Sequence, residues 1–226
     1  MARLNDVLIA GKVISDELEP KLVSKNETGG ESTQVVLNFK MRTFDKEANR
    51  YITLPVAVWG EELVEQCVMH LEKDDAICVK GELRFKYITN KQTGRTERLY
   101  INVKASNIEF LSKKMKTKDV PFYKNSVQLI GNLVSDAKQG DEGFVVAVDR
   151  LYPTKEATAP NSELTDFITV VADEKSMLNG ALTQGSNVII EGRLMTRKKR
   201  MDGVLEPRIV VAIDNYIGIQ KKAAGN

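Results

Sequence analysis

A glycine-broken strand pattern occurs twice in this chain, and that repetition restricts the fold more than any other feature. Near the N-terminus stands Asn5-Asp6-Val7-Leu8-Ile9-Ala10-Gly11-Lys12-Val13, with Ser15-Asp16 just after; 120 positions later stands Asn125-Ser126-Val127-Gln128-Leu129-Ile130-Gly131-Asn132-Leu133, then Ser135-Asp136. A second pair follows at an offset of 111, with Leu71-Glu72-Lys73-Asp74-Asp75-Ala76-Ile77-Cys78-Val79-Lys80-Gly81-Glu82-Leu83 matching Leu182-Thr183-Gln184-Gly185-Ser186-Asn187-Val188-Ile189-Ile190-Glu191-Gly192-Arg193-Leu194. Chance likeness between strands has no reason to preserve both order and spacing. The pattern implies a duplicated unit of roughly 100 residues, the second copy being shorter. A glycine inside an apolar strand marks a bend or a close approach by another backbone.

The boundary follows. Ser112-Lys113-Lys114-Met115-Lys116-Thr117-Lys118-Asp119-Val120-Pro121 lacks apolar periodicity and is rich in lysine, which reads as a solvated connector. The alternative is that it holds phosphates while bridging two domains. The expected organisation is a first domain over 1–111, a linker over 112–123, a second domain over 124–220 and a short tail over 221–226.

Within the first copy, Val7–Val13 reads as a strand. Val35–Arg42 alternates, with Leu37, Phe39 and Met41 inward and Asn38, Lys40 and Arg42 outward. Tyr51–Trp59 is a third strand. Glu61–Leu71 carries Leu63, Val64, Cys67, Val68 and Leu71 at helical spacing. Ala76–Tyr87 and Leu99–Phe110 are two more strands around a turn at Asn90–Gly94. Three strands, a helix and two strands is the order of a five-stranded Greek-key OB barrel. The second copy offers strands at Val127–Val134, Phe144–Arg150, Phe167–Ala172, Asn187–Arg197 and Arg208–Ile219, with a short helix near Lys175–Leu182. The expected fold is all-β, two tandem OB barrels with a short helix in each.

Composition removes several functions. His70 is the only histidine, and Cys67 and Cys78 are the only cysteines. Imidazole-based catalysis, a four-ligand zinc site and a disulfide framework are therefore excluded as readings, and both thiols are expected buried and reduced. No phosphate-binding glycine loop indicates a nucleotide cofactor, so neither a cofactor nor a metal is expected. Asp74-Asp75 and Glu61-Glu62 read as solvated turn and helix-start carboxylates. No catalytic residue is assigned and no enzyme is expected. The chain has no apolar stretch of membrane-spanning length and no signal-like N-terminus, which points to the cytoplasm and away from a membrane. Residues 1–111 carry 16 basic and 17 acidic side chains, and residues 124–226 carry 13 of each, so anion binding must come from local patches.

The second copy carries Phe144-Val145-Val146-Ala147-Val148-Asp149-Arg150, Asp166-Phe167-Ile168-Thr169-Val170-Val171-Ala172 and Gln184-Gly185-Ser186 onward to Arg193-Leu194-Met195-Thr196-Arg197. These runs resemble the bacterial single-stranded-DNA-binding proteins. The first copy matches less tightly, through Asn38–Met41, Val56–Gly60, Gly81–Arg84 and Ala105–Leu111. The resemblance implies binding of unpaired DNA, and a dimer, since two barrels per chain would then give the family's usual four. The chain ends Gln220-Lys221-Lys222-Ala223-Ala224-Gly225-Asn226, without the acidic, phenylalanine-terminated tip by which the family recruits replication and repair enzymes.

Single-strand binding needs cations along the phosphates and flat side chains under the bases. Strand parity places Tyr51 and Trp59 on the outward face of the third strand, away from Ile52, Leu54, Val56 and Val58. Stacking is one use for Trp59; cover by a loop or another subunit is the other. Phe167 takes the position where the resemblance implies a stacking ring, unless the core claims it. Lys40 and Arg42 flank the first face. Arg84, Lys86 and Tyr87 lead along the fourth strand to Arg95 near its turn. In the second copy Arg193, Arg197, Lys198, Lys199 and Arg200 line a hairpin, which the resemblance implies grips the strand; the other reading is a charged loop that resists edge pairing. Arg150 and Tyr152 open a long loop toward Thr165. The leading expectation is a non-enzymatic protein that coats unpaired DNA in replication, recombination or repair. Two rivals share the fold: a primosome-type accessory protein that mainly contacts other proteins, and an RNA- or tRNA-binding module.

Overall fold

The computed structural model describes residues 3–27, 30–89, 96–114, 123–136, 143–150, 165–172, 183–201 and 204–219. Among them are eleven strands and one helix: β1 Leu4–Val13, β2 Pro20–Glu27, β3 Gly30–Asp45, β4 Arg50–Trp59, α1 Glu61–His70, β5 Ala76–Thr89, β6 Thr96–Ser112, β7 Lys124–Leu133, β8 Phe144–Asp149, β9 Thr165–Val171, β10 Asn187–Met201 and β11 Val204–Ile219. Two compact units result. One comprises Val7–Arg84 with Ile101–Asn125; the other comprises Met1–Asp6 and Phe85–Tyr100 with Ser126–Asn226.

Five strands close the first barrel. β1 pairs with β3 and β5, β3 with β4, β4 with β6 in parallel, and β6 with β5. The second barrel repeats this circuit with β7, β8, β9, β11 and β10, again with one parallel pairing, β9 with β11. The order is that of an OB fold, and the tandem arrangement expected from the repeat is present.

The duplication extends to individual hydrogen bonds. Val7 lies opposite Gly81 in the first barrel and Val127 opposite Gly192 in the second. The amide of Asp74 donates to Val13 O and that of Val13 to Asp75 O, both at 2.9 Å. In the second barrel Gly185 N donates to Leu133 O at 2.8 Å and Leu133 N to Ser186 O at 2.9 Å. The repeated glycines have one cause. A Cβ on Gly11 would lie 2.2 Å from Arg42 O, and on Gly131 2.4 Å from Ala147 O. For Gly81 and Gly192 the offending oxygens belong to Lys104 and Ala212. Adjacent strands cross there too closely for any side chain.

Alternation builds each core. Leu37, Phe39 and Met41 of β3 and Ile52, Leu54, Val56 and Val58 of β4 are buried, as their parity requires. Leu129, Ile168, Ile190 and Leu194 fill the second interior. Helix α1 buries Val64 and Cys67, and Leu71 follows it into the core, while Glu61 and Glu62 sit exposed in its first turn. Burial pushes the Cys67 thiol up to about 11. Cys78, expected buried, is only half-buried on β5.

Strand β2 was not legible in the sequence. It pairs with β3 from Pro20 opposite Leu37 to Glu27 opposite Gly30 and extends the barrel wall as a hairpin. Its residues, Pro-Lys-Leu-Val-Ser-Lys-Asn-Glu, show no apolar alternation. Ladder hydrogen bonds rather than burial hold such an edge strand, and charges suit an edge. One further expectation needs correction. Asp75 is buried at 2% exposure, not solvated. It accepts bonds from Glu72 N at 2.9 Å, Lys114 N at 3.0 Å and Lys113 Nζ at 3.1 Å. Lys113 and Lys114, at the start of the lysine-rich connector, supply two of these bonds. Their side chains face solvent but are fastened, Lys114 Nζ also reaching Glu72 at 3.1 Å. A buried carboxylate needs several donors, and these lysines supply them. The expected helix near Lys175–Leu182 lies outside the described residues.

Candidate nucleic-acid interface

The outer face of β3 and β4 gathers the strongest set of binding groups among the described residues. Antiparallel register sets Trp59 opposite Val36, Pro55 opposite Lys40, Thr53 opposite Arg42 and Tyr51 opposite Phe44. Directly opposed residues share a face. Lys40 and Arg42 are exposed, and Trp59 is half-buried, its single indole turned away from the core. Ala57 departs from the expected parity pattern: it is on the outer face yet buried, its small side chain lying low between Asn38 and Lys104.

At one end of this face three rings meet. Phe44 and Tyr51 pack edge to face with centroids 5.1 Å apart. Tyr123 lies 5.8 Å from Phe44 and 5.9 Å from Tyr51, the latter again edge to face. Burial pushes the Tyr123 phenol up to about 12, aided by a hydrogen bond to Tyr51 and opposed by the charge of Arg42. Tyr51 remains 46% exposed. Phe44 follows Arg42 at the strand period of two, so parity alone would have found it. Tyr123, inside a lysine-rich stretch, carried no sequence signal.

The other expected residues divide by their partners. Arg84, part-buried on β5, is ion-paired with Glu82 two residues before it. The backbones of Lys86 and Tyr87 continue β5. Arg95 and Tyr152 lie outside the described residues. Arg150 is engaged by an acidic partner. Its Nε and Nη2 donate to Asp166 Oδ2 and Oδ1 at 2.8 and 2.7 Å, a fork-to-fork pair around a carboxylate that is 1% exposed. Phe167, opposite Ala147 on β9, is half-exposed on the outer face while Asp166 and Ile168 turn inward. The core does not claim it.

On β10, Arg193 is ion-paired with Asp214, the residue that a bulge between Glu191 and Gly192 leaves without an opposite number. Arg197 lies opposite Arg208, and Lys198 is exposed; Lys199 and Arg200 continue the strand backbone opposite Glu206 and Leu205. Met195, between Arg193 and Arg197 on one face, packs against Val171, Val210 and Ala212. Arg208 was missed, although the Asp202-Gly203 pair signals a two-residue turn that fixes its register against Arg197.

Among the described residues no three His, Cys, Asp or Glu side chains converge to hold a metal, and no helix is long and apolar enough to cross a membrane. The Single-strand binding protein family model matches residues 4–111 and 124–216. A search of curated proteins gives no match. Among solved structures, the wild-type single-stranded DNA binding protein from Thermus aquaticus is similar at 18% identity and a TM-score of 0.62, over 100% of this chain and 98% of that one. A deletion mutant of the Thermus aquaticus protein is similar at 21% identity and a TM-score of 0.60, over 98% and 97%.

Proposed function

The chain belongs to the single-strand binding protein family, and on that premise we propose that it binds unpaired DNA without sequence preference and coats it during replication, recombination or repair. The observation that carries this reading is the β3–β4 outer face, where Lys40, Arg42 and Phe44 follow one another on β3 and Phe44 stands across from Tyr51, with Trp59 further along β4. Rings offer a π-face to any base, and cations beside them neutralise the phosphates that connect successive bases. Neutralised phosphates release condensed counterions, so affinity falls with salt. On the second barrel Phe167 would offer a further ring, and Arg197, Arg208 and Lys198 would supply cations along the β10–β11 hairpin.

The work is binding, not bond-breaking, and neither a metal nor a cofactor has a part in it. Arg150 supports the site only indirectly, by holding Asp166. A dimer, with four barrels in total, is the assembly this reading favours. The domain bounds 1–111 and 124–220 complete the proposal.

A fluorescence titration with oligo-dT tests it. Trp59 is the only tryptophan, so its emission reports directly on the proposed face. Quenching at sub-micromolar DNA is expected in dilute buffer, with weaker binding as salt rises. Trp59→Ala should cost about 1–3 kcal/mol in affinity. A chain that ignores oligo-dT, or prefers structured RNA, does not have this function.

A further inference from the structure

We propose that Tyr123, the residue just before β7, is a positioning residue of the single-strand face: it holds the Tyr51 ring where a base can stack on it. This rests on the binding role proposed above and adds a residue that strand parity cannot supply.

Three observations converge on it. The ring of Tyr123 contacts both Phe44 and Tyr51, and its hydroxyl is hydrogen-bonded to that of Tyr51. Tyr51 is thus held on two sides, by Phe44 across the strands and by Tyr123 just before β7, yet stays 46% exposed. Next, the backbone beside Tyr123 is tied to the barrel. The buried Thr43 hydroxyl donates to Ala10 O at 2.7 Å and lies 3.4 Å from Lys124 O. Last, Arg42 precedes Phe44 by two on β3 and lies opposite Thr53, two residues from Tyr51, so a cation shares the face with these rings.

An exposed tyrosine ring free to rotate loses conformational entropy when a base stacks on it. A ring already fixed by two edge-to-face neighbours has lost that freedom before binding, which raises affinity without a new contact. Phe44 alone fixes one edge of Tyr51. Tyr123 fixes the second and adds a hydrogen bond at the hydroxyl, which resists swinging of the side chain about Cα–Cβ.

The test is a set of oligo-dT affinities for the full chain and for Tyr123→Ala, Tyr123→Phe, Tyr51→Ala and the Tyr51→Ala/Tyr123→Ala pair. Tyr123→Ala should bind about tenfold more weakly, a loss within the range for one stacked ring. Tyr123→Phe, which keeps the ring edges, should stay within about threefold. In the Tyr51→Ala background, Tyr123→Ala should change affinity by less than about twofold, because its effect acts through Tyr51. A role confined to stability would lower the melting temperature without this non-additivity. Tyr123→Leu, with the apolar contact kept and the ring edges lost, should weaken binding like Tyr123→Ala and covers the case in which the smaller residue unfolds the segment. A chain whose affinity is unchanged by both Tyr123→Ala and Tyr123→Leu overturns the inference, as does a tenfold loss that persists without Tyr51. If the unsubstituted chain ignores oligo-dT, the binding role itself fails and takes this inference with it.

Discussion

Shared register allows the outer faces of the two barrels to be compared residue by residue. Arg42 lies opposite Lys12 and Thr53, and Ala147 lies opposite Asn132 and Phe167. The corresponding pairs are therefore Arg42 with Ala147, Lys40 with Val145, Phe44 with Asp149, Tyr51 with Thr165, and Thr53 with Phe167. The first barrel presents two cations and two rings where the second presents two aliphatic residues, an acid and a threonine. The ring at these positions of the second barrel, Phe167, stands two residues further along the strand. One backbone circuit has thus kept its glycines and its hydrogen bonds while the side chains on this face have diverged. The barrel interior constrains the former and leaves the latter free to differ.

The sharpest way to break the comparison is through Arg150. Its carboxylate partner Asp166 is 1% exposed, and the guanidinium is 18% exposed. Removing one partner of such a pair leaves an uncompensated buried charge. Arg150→Ala should lower stability by about 2–4 kcal/mol in urea unfolding, less than a fully buried pair would because the arginine is partly wet. Oligo-dT affinity of the protein that remains folded should be unchanged. An equal loss of affinity would return Arg150 to the binding surface and narrow the contrast between the barrels.

Next in size is the charge on the two faces. Replacing Lys40 and Arg42 together by alanine should flatten the dependence of log affinity on log salt by about 1.4, at about 0.7 per phosphate for a single strand. The reciprocal graft, Val145→Lys with Ala147→Arg, should steepen it by a similar amount if DNA passes over the second face as well. A graft without effect would mean that unpaired DNA does not lie along β8 and β9, leaving the β10–β11 hairpin as the second barrel's only contact.

These contrasts show what the sequence could and could not convey. The circuit of strands was legible because the glycines and buried alternation answer to geometry within the chain. So were Tyr51, Trp59, Lys40 and Arg42, whose direction follows from counting by two. The ion pairs of Arg150 and Arg193 were not legible, because fold and register bring their acidic partners to them, whereas Glu82 lies only two residues before Arg84. Asp166 is 16 residues from Arg150 and Asp214 is 21 from Arg193. Sequence alone shows a positive charge but not what already neutralises it. Strand β2 escaped for the opposite reason, since it buries too little to leave a pattern.

The smallest effect concerns the turn that closes each barrel against its first strand. In the first barrel this turn is ionic: Lys12 pairs with Asp74 at 3.0 Å, Lys73 with Asp16, and Lys113 with Asp75 at 3.1 Å. The matching positions in the second are Asn132, Gly185, Gln184 and Ser186, and there Gln184 N donates to Asp136 at 2.7 Å. For Asp75, burial pushes its carboxyl up, but the amides of Lys114 and Glu72 and the Lys113 ammonium outweigh burial and hold it below the ordinary carboxylate range. A depressed folded value means that the ionised form stabilises the fold fully above the ordinary value of about 3.9, and that this contribution is lost as pH falls through the folded value. Asp75→Ser, which installs the second barrel's residue, should therefore reduce stability at neutral pH and make the acid limb of a pH–stability curve shallower. The counterpart Ser186→Ala, with no proton to gain, should shift that curve by an equal amount at every pH. If the two variants change the acid limb alike, the ionic turn does not distinguish the first barrel from the second, and its acid sensitivity must arise from carboxylates elsewhere in the fold.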